Sequence, residues 1–85
     1  MNTILAAWRE VRMGARSLTS FCAVLAAPAT EDAMDDAGDA DWDAYGDLMD
    51  LAGRYVEELM DADVFAARVE AVLREVETPP RYGRQ

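Results

Sequence analysis

The chain has 85 residues, 52% of them hydrophobic, and sets 17 acidic side chains against 8 basic ones for a formal charge of −9. All eight basic residues are Arg, His is absent, and the single Cys leaves no internal disulfide to form. This excludes a disordered polyampholyte, since the apolar content is enough to drive folding, and allows one small domain near the size where a single core barely suffices.

The charge is concentrated. Residues 1–30 hold Arg9, Arg12 and Arg16 against Glu10, a net +2. Residues 31–63 hold thirteen acids against Arg54 alone, a net −12, and residues 64–85 hold four Arg and three Glu, a net +1. Such a middle third repels nucleic acid and anionic membrane, and it attracts basic protein surfaces or cations. No direct nucleic-acid or membrane partner is expected, and the setting that fits is cytoplasmic.

In chain order, residues 2–27 read as one helix ended by Pro28. Ile4, Trp8, Val11, Ala15, Leu18, Cys22 and Leu25 follow a 4-3-4-3-4-3 spacing, a narrow apolar stripe, with Arg9, Arg12 and Arg16 on another side. A secretory leader is the rival reading of this segment. Its basic region would run to Arg16 and include Trp8 and Glu10, and its apolar run would include Thr19, Ser20 and Cys22, which disfavours it. Residues 28–40 read as an acidic connector with one weak helical turn, capped by Thr30 and ended by Gly38.

A second helix is expected over about 41–60, started by Asp39 or Asp41 and closed by Asp61 or Asp63. At 100° per residue Tyr45, Leu48, Met49, Ala52, Tyr55, Val56 and Leu59 gather on its apolar side. Asp43, Asp47, Asp50, Arg54, Glu57 and Asp61 gather opposite them. A third helix is expected over 64–77, capped by Asp63, with Phe65, Val69, Val72, Leu73 and Val76 buried and Thr78-Pro79-Pro80 as its stop. Residues 78–85 read as a flexible basic tail. Nothing alternates with period two, so the expected fold is all-α: a small three-helix bundle in one domain, residues 1–77, with an acidic connector.

Catalytic equipment is sparse. No His acts near neutral pH, no Lys serves Schiff-base or phosphate chemistry, and no Gly-rich phosphate loop is present. Cys22 falls on the core stripe, where a thiol is inert. Carboxylates on an exposed helix lack the cleft that would raise one pKa for acid–base work. The expectation is a non-enzyme without a cofactor.

Asp39, Asp41, Asp43, Asp47 and Asp50 occupy positions 1, 3, 5, 9 and 12 of a twelve-residue stretch, which resembles a calcium loop of the EF-hand or dockerin type. Position 6 is Ala44 where that loop needs Gly, and position 8 is Gly46 where it needs an aliphatic residue. Shifting the register to Asp41 mends both but puts Tyr45 and Ala52 at ligand positions. An acidic helix face accounts for the same residues with an unbroken period.

The acidic stripe is therefore read as a docking surface. Asp35, Asp36, Asp39, Asp41, Asp43, Asp47, Asp50, Glu57 and Asp61 supply its charge, and Trp42, flanked by two of them, is either a cap on the bundle end or an interface anchor. In size, charge, helical content and lack of catalytic residues the chain resembles, as a class, the small acidic helical inhibitors of phages and mobile elements, which include DNA mimics and some anti-CRISPR proteins. That resemblance implies occlusion of an Arg/Lys-lined groove on a basic nucleic-acid-binding protein, with fast, salt-sensitive association. The alternative is an assembly subunit that packs through the apolar stripes of the first and third helices. A homodimer is compatible with either, because a domain of this size gains from extra burial.

Overall fold

Five helices account for most of the residues that the structure, a computed structural model, describes: 1–35 and 37–77. They are α1 (Asn2–Arg12), α2 (Leu18–Ala26), α3 (Pro28–Asp32), α4 (Asp39–Val56) and α5 (Ala62–Glu77), and no strand occurs among the described residues. The all-α expectation holds. The expected tail, 78–85, and Asp36 lie outside the described residues.

The single helix expected over 2–27 is two helices. Gly14 adopts φ +78°, donating its N–H to the carbonyl of Val11 while Ala15 donates to Glu10. This pair of bonds satisfies the last carbonyls of α1, and the left-handed residue costs glycine nothing. Ser17 then caps α2, its hydroxyl accepting the Ser20 N–H at 3.1 Å. The apolar stripe runs on through the break because both helices bury onto the same core, which is why periodicity alone reads it as continuous.

The connector also differs from expectation. Helix α3 starts at Pro28, in the first helical position where its missing N–H costs nothing. Thr30 is not a cap: it is buried, and its hydroxyl donates to the carbonyl of Val24 at 2.6 Å. Gly38 precedes α4 and does not end a turn, so Asp39 and Asp41 sit in the first turn of α4 and do not cap it from outside. There they still face the positive end of the helix dipole.

Helix α4 ends at Val56, four residues before the expected boundary. Glu58 takes φ +63°, its N–H bonding the carbonyl of Tyr55 while Leu59 bonds Arg54, the same closing motif as at Gly14. The chain turns there, and α5 begins at Ala62 and returns antiparallel along α4.

The core collects Ile4 and Trp8 from α1, Phe21, Cys22 and Leu25 from α2, Leu48, Leu51 and Ala52 from α4, and Phe65, Val69 and Leu73 from α5. Trp8 meets Phe21 edge-on at 4.9 Å and Tyr55 stacks on Phe65 at 4.7 Å. Helix α2 packs on α4, α4 on α5, and α1 on α2. Burial pushes the Cys22 thiol up from its ordinary pKa, as expected of an inert core cysteine. The expected buried face of α4 is rotated. Ala44, Leu48, Leu51 and Ala52 are buried, whereas Met49, Val56 and Leu59 are exposed.

Candidate acidic docking face

Helix α4 presents its outer side as a run of carboxylates. Wound at 100° per residue, Asp39, Asp43, Asp50 and Glu57 fall within about 40° of one another, with Asp47 some 40° further toward α5. All five are exposed. From Asp39 to Glu57 the run extends about 27 Å along the axis. Glu57 is the residue just past the last turn. Asp50 holds Arg54 one turn on at 3.3 Å, and none of the other four has an ion-pair partner among the described residues.

Toward α5 this face opens into a groove of about 350 Å³. Asp41, Asp43, Asp47 and Glu75 rim it, over a floor that includes Ala44, Val72 and Val76. Glu75 is an addition that the sequence did not disclose: only the antiparallel return of α5 brings it beside residues thirty positions away. The opposite end of the α4–α5 seam is different. Arg54 and Arg68 line it with Asp47, Asp50 and Leu51, so cations sit among its carboxylates.

The remaining expected site residues are scattered. Asp61 is exposed in the corner between α4 and α5, beside Arg54, Glu58 and Arg68, and does not continue the α4 row. Asp35 is exposed in the turn after α3, and Asp36 is not described. Trp42 neither caps the bundle end fully nor stands free: it is 37% exposed and meets Tyr45 edge-on at 5.7 Å. Tyr45 in turn donates its hydroxyl to the carbonyl of Leu25 at 3.0 Å, tying α4 to α2. Burial, and then the nearby Glu31 charge, raises the Tyr45 phenol above its usual pKa.

Residues 39–50 are not a loop. They lie inside the unbroken α4 helix, which strings Asp39, Asp43, Asp47 and Asp50 over about 16 Å of its length and turns Asp41 to another side, whereas a calcium loop wraps its oxygens around one point. Among the described residues no three Asp, Glu, Cys or His side chains come together as a metal-holding group. Within the same residues no helix is long and apolar enough to cross a membrane.

Two acids outside α4, Glu70 and Glu10, are engaged. Glu70 of α5 accepts from the Trp8 indole N–H at 2.9 Å and from Arg12 at 2.9 and 2.8 Å. Hydrogen bonding from Arg12 is the chief reason its carboxyl sits below the ordinary pKa; desolvation opposes that shift, and the Trp8 bond and the Arg12 and Arg74 charges add to it. Glu10 holds Arg16 at 2.6 Å, and Arg16 also donates to Ser20 at 2.9 Å. A charge pair thus joins α1 to α5, and a second closes the α1–α2 turn.

The site and fold define a small all-helical protein with one strongly acidic helix face. No protein-family model matches the chain, and no curated protein or solved structure is significantly similar to it.

Proposed function

We propose that this is a small non-enzymatic binding inhibitor. Its α4 carboxylate face docks on a basic surface of a nucleic-acid-binding protein and occupies the place where nucleic acid would lie, in the manner of DNA-mimicking and anti-CRISPR-like phage proteins. Such targets place its action in the cytoplasm. The observation that carries this reading is the exposed run Asp39, Asp43, Asp47, Asp50 and Glu57, of which only Asp50 is paired among the described residues. Five carboxylates over about 27 Å average one per about 7 Å, roughly half the charge density of a DNA strand, which advances about 3.4 Å per phosphate. The likeness is therefore in sign and in linear arrangement, not in one-to-one register. A solvated face needed only for solubility has no reason to gather its acids while Glu10 and Glu70 are paired.

In architecture we read the chain as a three-helix bundle, with α1 and α2 together in the place of the first helix. An assembly role through the apolar stripes of the first and third helices has less to work with. Ile4, Trp8, Cys22, Leu25, Phe65, Val69 and Leu73 are spent in the protein's own core.

Capture from host lysate with the tagged protein and its Asp43→Lys/Asp47→Lys/Asp50→Lys variant tests the proposal. The wild type is expected to retain a basic nucleic-acid-binding protein at low salt and release it at high salt, and the folded variant to retain none. Equal capture by both, or capture that survives high salt, contradicts the carboxylate face as the docking surface.

A further inference from the structure

Between its carboxylates and its contact with α2, the outer side of α4 carries a second feature. Trp42, Met49 and Val56 recur every seven residues and are 37%, 37% and 62% exposed. Wound at 100° per residue they form a line drifting only about 20° per step. Between this apolar line and the carboxylate row run Gly46 and Gly53, also seven apart and both exposed. Neither glycine is required by the fold. Each has an ordinary helical backbone, and a Cβ added at either would meet nothing within 4 Å. Glycine in a helix interior is nonetheless among the least favourable choices. The protein therefore carries two helix-weakening residues, two turns apart on one line, on a surface its own fold leaves open.

We propose that this face of α4 is the receptor for an α-helix of the partner, one that is amphipathic and basic. Its backbone would lie along the Gly46–Gly53 strip, where the absence of side chains permits close approach. Apolar residues at heptad spacing would cover Trp42, Met49 and Val56, and Arg or Lys on the adjoining flank would face Asp39, Asp43, Asp50 and Glu57. Charge selects this occupant over a second copy of the chain. A two-fold axis running two α4 helices antiparallel sets carboxylate row against carboxylate row. The parallel two-fold sets each carboxylate row against the other's apolar line. Only a helix with a basic flank complements both lines at once. The inference rests on the docking role of the acidic face and adds the partner's secondary structure to it.

The test titrates the full chain by calorimetry with three synthetic 21-residue peptides at low and moderate salt. One has Leu at heptad spacing with Arg along one flank, the second is its scramble, and the third carries Glu in place of Arg. The first is expected to bind at least tenfold tighter than its scramble, and the third not at all. The Gly46→Gln/Gly53→Gln variant is expected to melt at a higher temperature than the wild type and yet lose tenfold or more in affinity for the first peptide. Equal binding of the first peptide and its scramble overturns the helix receptor while leaving electrostatic docking standing, and so does unchanged affinity in the folded glycine variant. Binding of no peptide at either salt overturns both. A dimer of the wild type that the glycine variant dissolves makes a second copy the occupant and likewise overturns the proposal.

Discussion

On the α1–α5 side Glu70 accepts three hydrogen bonds from Trp8 and Arg12, whereas on α4 Asp39, Asp43 and Asp47 have no ion-pair partner among the described residues. Both regions are built from the same few residue types. In the first, a half-buried carboxylate joins two helices far apart in sequence and completes a buried indole. In the second, carboxylates repel one another on one helix. The first therefore contributes to folding, and the second opposes it; that difference is what makes α4 a candidate for recognition.

The contrast is broken most sharply at Glu70. Replacing it with Ala removes the acceptor of the buried Trp8 N–H, and an orphaned buried donor costs about 1–3 kcal/mol. Chemical denaturation of Glu70→Ala is expected to show a loss in that range. The same pair sets a pH dependence. Its carboxyl pKa is lowered in the folded state from 4.5, so its contribution is fully present above that value and is lost as pH falls through the lowered one. Glu70→Gln should flatten the acid limb of the stability curve while leaving its shape near neutrality.

Helix ends give a second, smaller comparison. Gly14 and Glu58 occupy the same left-handed position in the same closing motif, at φ +78° and +63°. Glu58→Gly is expected to stabilise by about 1 kcal/mol and Gly14→Ala to destabilise by about as much. Equal responses at the two positions would mean that local contacts, not backbone preference, decide them. Smallest of all should be Asp43→Asn/Asp47→Asn. Its stability is expected to stay within about 0.5 kcal/mol of the wild type or to rise, with the gain shrinking as salt screens the repulsion it relieves.

Much of the helical content and the polarity of α4 was legible from period and composition. Trp8, Cys22, Leu25, Leu48, Phe65, Val69 and Leu73 were assigned to buried stripes by spacing alone, and all are buried. What escaped was decided by contacts or by backbone geometry. The α1–α2 break hid because Ile4, Trp8, Cys22 and Leu25 keep one period across it; Gly14 followed by Ser17 was the local signal that outweighed the stripe. Met49, Val56 and Leu59 were expected inside because they are apolar. The choice of Leu51 and Ala44 instead depends on α5 lying against that side of α4. Glu58 has no particular left-handed preference, so nothing at that position announced the end of α4. Glu70 and Glu75 gained their roles only from the return of α5.

Competition on the captured partner tests the central claim most directly. Adding the full protein to that partner with labelled nucleic acid already bound should release the nucleic acid completely at saturation, and the Asp43→Lys/Asp47→Lys/Asp50→Lys variant should release none. A stable ternary complex of partner, nucleic acid and this protein would contradict occlusion by the α4 face.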